Sequence, residues 1–120
     1  MNIALIAHDK QKDTMIKLVK EFHSTLEHHT LIATGTTGQK VIDATALDVR
    51  RFKSGPYGGD QEMGARIAQG KVDLVIFLRD PLTPQPHEPD VTALFRLADV
   101  YQIPMASNYA SARLLLKSLN

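Results

Sequence analysis

The most constraining feature of this chain is an alternation: short apolar runs recur along it, and each is followed by a segment of helical periodicity. "NIALIA" (2–7) and "VDLVIFL" (72–78) are rich in branched residues and read as buried strands, the latter as a central one. "TLIAT" (30–34) and "IPMAS" (103–107) are shorter runs of the same kind, and "LDVRRF" (47–52) is polar enough to sit near a sheet edge. Between them, Met15, Leu18, Val19, Phe22 and Leu26 share one helical face. Residues 36–46 and 60–69 read as two further helices, the second with Met63 and Ile67 one turn apart. Asp90 is placed to cap a helix whose stripe is Val91, Leu94, Phe95, Ala98 and Tyr101, and Ala112, Leu115, Leu116 and Leu119 mark a last one. Strand and helix alternate five times. That predicts an α/β fold, a three-layer sandwich with a five-stranded parallel sheet, Rossmann-like in plan. With 120 residues and no internal repeat or linker, a single domain over 1–120 is expected.

Composition narrows the function classes. A formal net charge of +1 argues against capture of nucleic acid or of an acidic membrane surface. No apolar stretch approaches the roughly 20 residues of a membrane span, and the N-terminal apolar run is too short for a signal peptide. The chain has no cysteine, which removes disulfides and thiolate chemistry and suits a cytoplasmic enzyme.

In folds of this plan ligands bind beyond the carboxyl ends of the strands. The residues expected there are unusually polar. His8, Asp9 and Lys12 follow the first strand, and Thr34, Gly35, Thr36, Thr37 and Gly38 follow the second. Ser54, Gly55, Gly58, Gly59 and Asp60 follow the third; Asp80, His87 and Asp90 follow the fourth; Ser107 and Asn108 follow the fifth. "ATGTTGQK" (33–40) opens a helix, whose first N–H groups are unpaired and sit at a positive dipole end. Glycines let a ligand approach the backbone, threonine hydroxyls add donors, and Lys12 adds a full charge. Together these suit an anion such as phosphate. The plainer alternative is that Thr36 or Thr37 merely caps the helix.

Asp60, His87 and Asp90 form the acid–base candidates. The competing reading makes Asp60 and Asp90 helix caps and His87 an exposed residue of "RDPLTPQPHEPD" (79–90), a loop with four prolines in twelve residues. "HEPD" has no second histidine near it in sequence, so no metal site is expected. His28 and His29 are expected in solvent at the far end, and "RRFK" (50–53) reads as a solvated strand edge.

The motifs "ALIAHDKQK", "ATGTTG", "SGPYGGDQEMGARIAQGKVDLVIFLRDPLTPQPHEPDV" and "IPMASN" resemble the methylglyoxal synthase family over nearly the whole chain, in order. The resemblance implies the fold derived above and an activity: dihydroxyacetone phosphate to methylglyoxal and inorganic phosphate, without metal or organic cofactor. It implies Asp60 as catalytic base and His87 as the group that stabilises the developing enediolate. It implies substrate and phosphate contacts from His8, Lys12, Thr34, Gly35, Thr36, Thr37, Ser54 and Gly55, with Asp9, Asp80 and Asp90 as supporting acids. It also implies a homo-oligomer, usually a hexamer, inhibited by phosphate. Tyr57 and "NYASA" depart from the family pattern beside the site, and larger members extend beyond the position of Asn120. The alternative on the same fold is a phosphate-ligand-sensing regulatory domain, like that of carbamoyl-phosphate synthetase.

Overall fold

The computed structural model describes residues 1–119. Five parallel strands, β1 (Asn2–Ala7), β2 (Thr30–Ala33), β3 (Val49–Arg51), β4 (Leu74–Leu78) and β5 (Met105–Ala106), form one sheet in the order β3-β2-β1-β4-β5. The α/β three-layer fold is therefore as expected. β3 lies at an edge, while the middle strand is β1 rather than "VDLVIFL", whose β4 is its neighbour.

Side chains alternate across the sheet, so each buried strand feeds two cores. Ile3, Leu5 and Ala7 pack with α1 (Lys12–Glu21), α2 (His23–Leu26), α3 (Gly35–Thr45) and α6 (Tyr109–Lys117). Ala4, Ile6 and Phe77 pack on the other face with α4 (Gly59–Ala68) and α5 (Glu88–Val100). Burial on both faces explains why these runs are apolar throughout rather than alternating.

Several local expectations change. The first stripe is buried as read, but the helix breaks at Phe22 into α1 and α2. α5 starts at Glu88 with His87 in the cap position, so Asp90 lies in its first turn and caps nothing. Tyr101 stands in the cap position at the end of α5 and is 48% exposed, so it does not continue the buried stripe. His29 is half-buried, with its Nδ1 3.1 Å from the N-terminal amine, while His28 is exposed. The edge reading of "RRFK" holds: Arg50, Arg51 and Lys53 are exposed, and the guanidinium groups of Arg50 and Arg66 cover the Phe52 ring.

α3 ends on Ala46 at φ 57°, a left-handed conformation that disfavours any residue with a Cβ. Ala46 is exposed, so its methyl group packs on little. Ala46→Gly is expected to raise stability by about 0.5–1 kcal/mol, read as a Tm increase of a few degrees in thermal unfolding.

Candidate active site

After β1 the chain continues toward β2 and β3 on one side; after β3 it crosses to β4 and β5 on the other. The carboxyl ends of β1 and β4 therefore flank the topological switch point, where ligand crevices form. Ala7 is in register with Leu78, and the next amide, His8 N–H, donates to Leu78 O at 3.1 Å. A cavity of about 80 Å³ opens there.

One end of this cavity is basic and hydroxyl-lined. Lys12 is buried, and its ammonium donates to Ala7 O at 2.8 Å and to Asp9 Oδ1 at 3.0 Å. An ammonium has three N–H groups, so one is left for the cavity. Thr34 is the N-cap of α3 but makes no side-chain cap hydrogen bond. Its hydroxyl instead donates to Thr37 Oγ1 at 3.3 Å, and the Thr37 hydroxyl donates to Ala7 O at 3.3 Å. Thr36 and Thr37 lie inside the first turn of α3, after the N-cap, so neither caps the helix as the plainer alternative has it. Thr36 and Ser54 bridge α3 to the loop after β3, with Oγ atoms 3.0 Å apart. The first-turn N–H groups of α3 have no intrahelical acceptors and add a positive end.

The other end is acid–base. Asp60 is the second residue of α4, 3% exposed, and neither carboxylate oxygen has a hydrogen-bond donor. His87 Nε2 lies 3.4 Å from Asp60 Oδ2, near enough for ion pairing but without hydrogen-bond geometry. Burial raises the Asp60 pKa above the usual carboxylate value; His87 opposes the rise and Asp90 adds to it. Gly55 makes the approach possible, since a Cβ there would sit 3.1 Å from His87 Nε2 and 3.3 Å from both Asp60 oxygens.

His8 is held in one tautomer. The Asp80 backbone N–H donates to its Nδ1 at 2.9 Å, so the neutral ring carries its proton on Nε2, a buried atom without a partner. Burial lowers the His8 pKa, and the neighbouring His87, with ring centres 5.9 Å apart, lowers it further. In a ¹⁵N-NMR titration His8 is therefore expected to keep the Nε2–H neutral pattern at pH values where a free histidine is half protonated.

Of the thirteen candidate residues, ten line the cavity: His8, Asp9, Lys12, Thr34, Thr36, Thr37, Ser54, Gly55, Asp60 and His87. Gly35, Asp80 and Asp90 do not. Gly35 packs on the loop after β3: its N–H donates to Lys53 O, and a Cβ would lie 2.7 Å from Phe52 O. The Asp80 carboxylate turns back to accept the Leu82 N–H at 3.1 Å, and hydrogen bonds within its loop lower its pKa; only its backbone serves His8. Asp90 is half-buried in a groove between α4 and α5, behind Asp60, and acts on it through space. Asp9 has an exposed carboxylate, its pKa lowered by the Lys12 hydrogen bond. Ser107 and Asn108 also lie off the cavity; Asn108 caps α6 by accepting the Ser111 N–H at 2.9 Å. Tyr57 is exposed and does not line it. Phe77, Pro56 and Gln85 do, though in the sequence Phe77 looks like core and Gln85 like ordinary loop.

The fold and the cavity define a small α/β protein of the MGS-like class, and an MGS-like domain family model matches residues 14–107. The chain belongs to the methylglyoxal synthase family. It is 62% identical over 120 residues to the methylglyoxal synthase of Latilactobacillus sakei subsp. sakei (strain 23K), spanning 100% of this chain and 86% of that one. It is 61% identical over 119 residues to the methylglyoxal synthase of Clostridium perfringens (strain ATCC 13124), covering 99% of this chain and 100% of that one. The crystal structure of methylglyoxal synthase from Elizabethkingia anophelis NUHP1 superposes with a TM-score of 0.91 at 46% identity, over 96% of this chain and 76% of that one. Among the described residues no helix is long and apolar enough to cross a membrane.

Proposed function

We propose that the chain forms methylglyoxal, as the names of its relatives state of them, from dihydroxyacetone phosphate, with release of inorganic phosphate. One observation carries this reading above the others. A buried carboxylate without a hydrogen-bond donor, Asp60, shares a small cavity with a helix N-terminus, threonine hydroxyls and a buried ammonium. A phosphate at the Lys12 and Thr37 end leaves the carbon skeleton facing Asp60 and the two histidines.

In the proposed reaction the Asp60 carboxylate removes a proton from the hydroxymethyl carbon. The raised pKa makes it a stronger base than an exposed aspartate. His8 Nε2–H and His87 then donate to the oxygens of the enediolate, where charge develops. The enediolate electrons expel phosphate by breaking its C–O bond, and the enol left behind tautomerises to methylglyoxal. Atoms balance without water, metal or organic cofactor. We extend the reading to one domain over 1–120, a cytoplasmic homohexamer and inhibition by the phosphate product, all on the resemblance.

The test is to supply purified protein with dihydroxyacetone phosphate in EDTA and quantify methylglyoxal and phosphate. Equimolar products are expected. No turnover with inorganic phosphate still bound would overturn the reading and leave a phosphate-sensing domain.

A further inference from the structure

We propose that Arg79 is a positioning residue for the acid–base centre, holding His8 and His87 in place through two separate arms; this rests on the reaction proposed above. Arg79 follows β4 at the switch point, and its side chain does not line the cavity.

The first arm is an ion pair. Arg79 Nη2 lies 3.3 Å from Glu88 Oε1. Glu88 opens α5 directly after His87, and its other carboxylate oxygen accepts the Gln85 N–H at 3.3 Å. The base of the proline-rich loop is thereby tied to the turn that delivers Gln85 and His87 to the cavity. The second arm is a chain of contacts between planar groups. The Arg79 guanidinium lies 4.7 Å from the centre of the Phe95 ring, Phe95 lies 5.5 Å from Phe77, and Phe77 meets His8 edge-on at 5.2 Å. One side chain outside the cavity is thus connected to both imidazoles inside it.

Stability is a poor account of this arrangement. The Arg79 and Glu88 side chains are 39% and 44% exposed, and exposed pairs contribute little. Orientation is a better one. A guanidinium can bond a carboxylate along its edge while stacking an aromatic ring on its face, whereas a lysine supplies charge without either geometry. The Arg79 backbone is anchored as well, its N–H reaching Ser107 O at 3.4 Å.

The experiment compares kcat, KM and inhibition by inorganic phosphate for the full chain, Arg79→Met, Arg79→Lys, Glu88→Gln and the Arg79→Met/Glu88→Gln double variant. Misplacement of catalytic groups by an ångström can cost about 10²-fold in rate, so Arg79→Met is expected to lose about ten-fold or more in kcat. KM and the phosphate inhibition constant should move by less than about two-fold, because the phosphate end of the cavity is built by other elements. Arg79→Lys should resemble Arg79→Met more than the parent. Glu88→Gln, which breaks one arm, should lose less, and adding it to Arg79→Met should change little. A kcat within about two-fold of the parent in both Arg79 variants overturns the inference, as does a matching loss of phosphate affinity, which would mean general disorder. If Arg79→Met does not fold, Arg79→Lys and Glu88→Gln decide by the same split. If the parent itself shows no turnover, the proposed reaction fails instead. The inference then stands or falls on whether the His8 and His87 imidazole ¹⁵N resonances shift in Arg79→Lys.

Discussion

Asp60→Asn is expected to lower kcat by about 10³-fold or more while inorganic phosphate still binds. The amide has nearly the shape of the carboxylate but cannot accept the substrate proton. In the proposed reaction phosphate sits at the other end of the cavity, which Lys12, Thr34, Thr36 and Thr37 line, so affinity and chemistry should separate. The same substitution should make the protein more stable at neutral pH. Asp60 is 3% exposed with no donor to either oxygen, and burial raises its pKa in the folded state. Below the unfolded pKa of about 3.9 both states carry the protonated acid, and the native environment costs nothing extra. As pH rises through the raised folded pKa, the native state must hold a buried charge that His87 offsets only in part, and that advantage is lost. Asn never ionises. The variant should therefore be more stable than the parent near pH 7, read as a higher Tm, and the gap should close as the pH approaches 4. Thermal unfolding of both proteins across that range checks the sign. A variant less stable than the parent at pH 7 would contradict the account of Asp60 as a strained carboxylate.

Gly59→Ala is expected to cost about 2–4 kcal/mol and to abolish turnover with it. A Cβ at Gly59 would lie 1.9 Å from Lys53 O and 2.9 Å from the carbonyl carbons of Lys53 and Ser54. All three are backbone atoms, so no rotamer change relieves the clash. The Gly59 N–H also donates to Ser54 O at 3.0 Å, which closes the turn leading from β3 into α4. That turn places Ser54 and Gly55 against Asp60. Pushing it open displaces Ser54, Gly55 and Asp60 together. The neighbouring Gly58 gives the contrast. It has φ 104° but open space around its Cα, so Gly58→Ala carries conformational strain alone, about 1 kcal/mol. Chemical unfolding of the two variants should rank Gly59→Ala well below Gly58→Ala. Equal losses would mean that the turn relaxes.

The glycine contrast also illustrates what is legible in a sequence. "SGPYGGD" reads as a turn because Gly and Pro favour turns, yet nothing in the letters separates Gly58, which needs its dihedral angle, from Gly59, which needs its missing side chain. The same division runs through the cavity. Residues directly after β1 and β2 could be placed on the rim by counting from the strand, and most of them line it. Asp80 and Asp90 were equally well placed by counting, but their side chains turn into their own loop and into the groove between α4 and α5. Nothing in the letters around Arg79 marks it, because its partners Glu88 and Phe95 lie 9 and 16 residues further along the chain.

By itself the sequence determined the strand–helix alternation, the parallel sheet and the end of it where polar groups gather. Those follow from periodicity and burial, which act between residues near one another in the chain. The family motifs added the expected chemistry. Only the tertiary structure decided that Asp60 is buried without a donor, that His8 is held as its Nε2–H tautomer by the backbone of Asp80, and that Arg79 pairs with Glu88 and faces the Phe95 ring. The sequence separations show why: Asp80 is 72 residues from His8 in the chain, yet its amide stands 2.9 Å from the ring. Protonation and orientation are set by such long-range contacts, through the loss of water and the placement of single donors, and local sequence pattern carries no record of either.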